Sequence, residues 1–215
     1  VEDCLFKLPR ESFEQSETFR GMFALPPTDV EEGTSDANPI RLEGVKSCDF
    51  VAFLKVLIPM AKEGATETLS LHEWLAALEL AHKWEFKNTR QRAIEAIDEL
   101  PMREVEKIQI IQKYGINEWT CPTYEKLLLR EHPLTAHEMK SLGYEFSSKM
   151  AAARERLVVA SHNKNGWRCY SELLCRICRR TINPPDSCPC GHSLRSCIPT
   201  SPVIREIFGD PVVIL

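Results

Sequence analysis

Leu5-Phe6-Lys7-Leu8-Pro9, and after it Ser16-Glu17-Thr18-Phe19-Arg20-Gly21-Met22-Phe23, form the stretch on which the fold turns. From Cys4 to Leu8 apolar and polar side chains alternate loosely until Pro9, the pattern of a short strand. Then the spacing changes, and Phe13, Phe19, Met22 and Phe23 can share one side of a helix. Downstream, Pro26-Pro27 and an acidic, polar run to Pro39 read as an exposed loop. Ile40 and Leu42 alternate with Arg41 and Glu43 as a second short strand. Strands and helices therefore mix within the first hundred residues.

Beyond this point helical signals dominate. Phe50, Phe53, Leu54, Leu57 and Ile58 make a buried stripe that Pro59 stops. Ser70 with Glu73 spells a capping box, and Leu71, Trp74, Leu75 and Leu78 form one face behind it. Ala93, Ile94 and Ile97 mark another helix before Pro101. Residues 102–161 read as almost wholly helical. Val105, Ile108, Ile111 and Tyr114 give a stripe ended by Gly115, and Thr120 and Pro122 open a helix that buries Leu127 and Leu128. Thr135 with Glu138 repeats the capping box, Gly143 supplies a stop, and Phe146, Met150, Ala153 and Leu157 line a last helix.

The first hundred residues resemble the BTB/POZ domain, in the form found in fungal BTB-containing proteins. Leu5 to Pro9 takes the place of the family's second strand, and Ser16 to Phe23 matches its S-x-x-F-x-x-M-F helix. Ile40 to Val45 is similar to the next strand, Phe53 to Pro59 to the F-x-x-L-L-x-x-L-Y helix, and Trp74 to Phe86 to the helix pair after it. Ile58 stands where an aromatic is usual, and Pro26 to Pro39 lengthens a short connection. The chain begins at Val1 rather than a methionine, so it reads as processed or as a fragment, without the features of a secretory leader, and the family's first strand, which would precede Val1, is absent or clipped. The resemblance implies an α+β fold, a small sheet with surrounding helices, serving protein–protein contact without catalysis. The expected organisation is a BTB/POZ-like domain over 1–100, an all-helical extension over 101–161 and an irregular Cys-rich tail over 162–215.

Composition narrows the function. The 215 residues carry 27 basic against 31 acidic side chains, a net charge of −4, which argues against a general nucleic-acid binder. No run approaches the ~20 apolar residues of a membrane span; Phe50 to Met60 is broken by Lys55 and Pro59. No G-x-S-x-G, G-x-G-x-x-G or G-x-x-x-x-G-K-[ST] occurs. His72-Glu73 and His137-Glu138 begin like H-E-x-x-H, but Ala76 and Ser141 replace the second imidazole. An enzyme is not expected.

Of the nine cysteines, Cys4, Cys48 and Cys121 are scattered among apolar residues, as buried thiols would be. The other six lie from Cys169 onward, and this clustering points to a reducing, intracellular setting. Cys175 and Cys178 form a C-x-x-C, which delivers two thiolates to zinc from one side; Cys188, Cys190, His192 and Cys197 offer the rest. A structural zinc is one reading of this set, and unligated thiols or disulfides are the others. The partner is expected to be another protein or a second copy of the chain, bound through exposed Phe13, Phe19 and Phe23 and an open sheet edge. Two alternatives are an adaptor for a cullin-type ubiquitin ligase, and a transcription regulator that binds DNA through the tail.

Overall fold

The aromatic side chains of residues 13–23 sit on two short helices rather than one, α1 (Arg10–Phe13) and α2 (Glu17–Phe23). Ser16 divides them. Its backbone is extended, and its hydroxyl oxygen accepts the Phe19 N–H at 3.1 Å as the N-cap of α2. The same hydroxyl donates to the Trp84 carbonyl at 2.5 Å, so this fully buried polar group is satisfied on both sides.

The structure, a computed structural model, describes residues 1–25, 32–33, 35–58, 69–162, 177–178 and 200–209. They belong to two units, Val1–Pro101 and Met102–Leu215. In the first unit, α3 (Ser47–Leu57), α4 (Leu71–Lys83) and α5 (Lys87–Asp98) pack on one another. Lys46, at the N-cap of α3, supplies no side-chain cap; the Glu2 carboxylate instead accepts the Ser47 N–H at 2.9 Å. The Ser70–Glu73 capping box opens α4 as its sequence demands. A Schellman turn closes α4: the Phe86 N–H reaches the Ala81 carbonyl at 2.9 Å, with Glu85 at φ 59° in the position usually given to glycine. That turn swings Trp84 and Phe86 together into the core.

Eight rings then form one network. Trp84 meets Phe19, Phe50 and Phe53, while Phe86 meets Phe13, Phe19 and Phe53, with centroids 5.1–6.1 Å apart. Phe6 packs edge-on against Phe50, and Phe23 packs against Phe19. Edge-to-face pairs of this kind contribute about 0.5–1.5 kcal/mol each beyond their area of burial.

The expected α+β fold is overturned here: among the described residues there is no sheet, only an isolated antiparallel bridge between Ser35 and Asn38. The alternation that predicted strands is nonetheless present in space. Phe6, Leu8 and Leu42 pack on the aromatic core, while Leu5, Lys7, Arg41 and Glu43 face solvent. Period-two patterning reports extended backbone with one side buried. It does not supply a neighbouring strand, and the wall that buries these residues is a ring cluster.

The second unit is built from α6 (Glu104–Tyr114), α7 (Thr120–Leu129), α8 (Ala136–Leu142) and α9 (Tyr144–His162). Within the stretch expected to be irregular, Ser201–Phe208 forms a further helix, α10, which packs on α7 and α9. Pro202 suits its first turn. Val203 and Ile204 are buried, and Phe208 joins Tyr124 of α7 and Phe146 of α9 in a ring triad with centroids 4.9–5.4 Å apart. The Thr200 hydroxyl bonds the Glu125 carboxylate at 2.5 Å.

Gly115 ends α6 at φ 62°, ψ 47°, with open space where a side chain would project. Gly21 lies inside α2, also with open space around it. Urea unfolding should therefore show Gly115→Ala losing about 1–2 kcal/mol, the cost of a left-handed Cβ. Gly21→Ala should gain about 0.5–1 kcal/mol from helix propensity.

Candidate functional site

On the first unit a cavity of about 1180 Å³ opens between the N-terminal segment, α1 and α2, and residues 35–46. Its lining includes Phe6, Leu8, Phe13, Phe19, Phe23 and Phe50, so the cavity reaches the ring network directly. Charges of both signs line it; Lys7 pairs with Asp36 at 2.9 Å within the lining, and Arg10 pairs with Glu14, outside it, at 3.3 Å. The Arg10 guanidinium lies 4.3 Å over the Phe23 ring. Leu5 and Leu25 are 52% and 69% exposed on the same unit.

Phe13 and Phe19 are only 6% and 5% exposed, which corrects the expectation that they present themselves to a partner. Both belong to the core, because Ser16 turns α2 so that its aromatic face meets Trp84 and Phe86. Phe23 is half-buried and is the most accessible of the three. The exposed leucines carried no periodic signal that would have singled them out.

A smaller cleft of about 340 Å³ is lined by Cys4, Phe6, Cys48, Asp49, Val51, His72, Glu73 and their neighbours. Cys4 and Cys48 are both exposed and Cys121 is partly so, against the expectation of buried thiols. The Cys48 thiol approaches the Asp49 carboxylate at 3.5 Å. Across the described residues, no group of three His, Cys, Asp or Glu side chains could hold a metal ion. Of the six proposed zinc ligands, Cys178 is described, half-buried in a turn. Cys175, Cys188, Cys190, His192 and Cys197 lie outside the described residues.

Three of the displaced carboxylates, Glu2, Glu73 and Glu138, serve helix N-termini. Glu73 is held below the usual carboxylate range by the Ser70 backbone N–H and hydroxyl, with Lys55 adding to the effect. Burial raises the Tyr124 phenol. In the second unit Arg130 grips Glu138 with two nitrogens, at 2.7 and 2.9 Å, while Glu138 completes the Thr135 capping box. Arg154 of α9 donates to the carbonyls of Leu127, Arg130, Glu131 and His132, which satisfies the end of α7 and the turn after it. His72 and His137 are exposed in the first turns of α4 and α8, beside glutamates engaged in capping. No helix among the described residues is long and apolar enough to cross a membrane. No family model, curated protein or solved structure matches the chain.

Arg130, and then the Thr135 N–H, hold the Glu138 carboxyl down to about 2 from its ordinary 4.5. The stability it contributes is complete above pH 4.5 and disappears as the pH falls through 2. Glu138→Gln should therefore be less stable than the parent at pH 6. The gap should close steadily in urea titrations taken from pH 5 to pH 2; a gap constant with pH would remove this role.

Proposed function

We propose that the chain is a non-catalytic protein-interaction module. Its binding face lies on the first unit, where the N-terminal segment, α2 and residues 35–46 meet. The single observation that carries this reading is the cavity lined by rings of the core itself, with exposed Leu5 and Leu25 on the same unit. A surface of that kind gains by covering apolar area, at about 25 cal/mol per Å². The charges that line the cavity are mixed in sign, which suits a protein surface better than a polyanion.

Ionisable groups support the non-catalytic side of the proposal. The displaced carboxylates Glu2, Glu73 and Glu138 are each engaged with a helix N-terminus, and Glu145 with Lys149 one turn on. Glu2 lines the large cavity and Glu73 the small cleft, but each already accepts a backbone N–H at a helix start, whereas general acid–base work calls for several displaced groups converging on one cleft. The BTB/POZ resemblance adds support through the order of its motifs along the sequence, Ser16 to Phe23, Phe53 to Pro59 and Trp74 to Phe86; no sheet belongs to the proposal.

Self-association is the most direct test. Light scattering of the full chain across micromolar concentrations should show mass rising with concentration. Leu5→Glu combined with Leu25→Glu should weaken association at least ~10-fold, since each leucine buried is worth about 1.5–3 kcal/mol. Folded stability should stay within about 0.5 kcal/mol, as both positions are exposed. A mass that stays monomeric throughout, and no effect of the two substitutions on capture of a partner, would overturn the proposal.

A further inference from the structure

Cys4 and Cys48 are 44 positions apart in sequence, yet they line the same small cleft, and both are exposed. The backbone around them is tied together. The Val1 carbonyl oxygen accepts the Cys4 N–H at 3.0 Å and the Ser47 hydroxyl at 3.3 Å. The Glu2 carboxylate holds the Ser47 N–H at 2.9 Å. One carbonyl oxygen thus anchors both the turn that carries Cys4 and the residue next to Cys48. From these observations we propose that Cys4 and Cys48 are a redox pair, which closes into a disulfide under an oxidising thiol–disulfide balance and opens again on reduction.

The exchange balances with a small-molecule disulfide, such as oxidised glutathione, as the oxidant. One protein thiolate, its proton passed to solvent, attacks the small disulfide and forms a mixed disulfide while expelling one glutathione thiolate. The second protein thiolate attacks the protein-side sulfur and expels the other. Two thiols are oxidised and one small disulfide is reduced to two thiols. Closure replaces the contact of the Cys48 thiol with Asp49. It asks for Cα atoms about 4.4–6.8 Å apart, so closure requires the exposed turn at Cys4 to settle against the first turn of α3.

The consequence is mechanical. Cys4 lines the large cavity as well as the small one. A bond to Cys48 fixes the N-terminal segment to the first turn of α3 and makes that wall of the large cavity rigid. The closed loop contains α1 and α2, so the unfolded chain loses much of its freedom.

The test treats the full chain with oxidised glutathione, blocks remaining thiols with iodoacetamide and maps the peptides by mass spectrometry. The expected product is a peptide pair joined through Cys4 and Cys48, with a thermal midpoint several degrees higher that returns on reduction. In Cys4→Ser, the same treatment should leave Cys48 as a glutathione adduct, and the midpoint should not rise. If Cys4 and Cys48 in the parent carry separate glutathione adducts, stay alkylatable, or pair with cysteines of the tail, the proposal fails.

Discussion

Trp84 touches Phe19, Phe50 and Phe53, and its carbonyl receives the Ser16 hydroxyl, so one residue at the end of α4 joins α2, α3 and α4. The remainder of the first unit depends on that junction. The Schellman turn at Glu85 directs Phe86 to the same place, and Phe13 and Phe53 close around it. A buried serine bonded to a backbone carbonyl is specific as well as favourable, because removing its partner would leave a polar group stranded in an apolar core. The extended segments at the start of the chain gain their burial from these rings.

The helices were legible because their signals are local. Capping boxes at Ser70 and Thr135 need only residues three apart, and the stripe from Phe146 to Leu157 needs only a period near 3.6. The sheet was misread because pairing is a property of two segments. Phe6 and Leu42 alternate as strand residues do, but nothing in their order reveals whether the neighbour is another strand or a ring. Ser16 stands inside the matched helix motif yet is the N-cap of α2, and its second hydrogen bond lies 68 residues away.

The candidate site was legible in part for the same reason. Phe13, Phe19 and Phe23 do cluster, but the turn at Ser16 commits the first two to the interior and leaves Phe23 at the edge of the cavity. The meeting of Cys4 and Cys48 in one cleft depends on Glu2 capping α3 and on the Val1 carbonyl accepting the Ser47 hydroxyl, both from a distance in sequence. α10 was hidden among prolines and cysteines, although Val203, Ile204 and Phe208 already marked an apolar face.

Amide hydrogen exchange in the first unit, read residue by residue by NMR, tests most directly whether rings or a strand ladder hold the extended segments. The account predicts slow exchange inside α3, α4 and α5, and rapid exchange for the amides of Phe6, Lys7, Leu8, Arg41 and Leu42. Protection alternating along residues 5–8 and 40–43, as in a paired ladder, would contradict it.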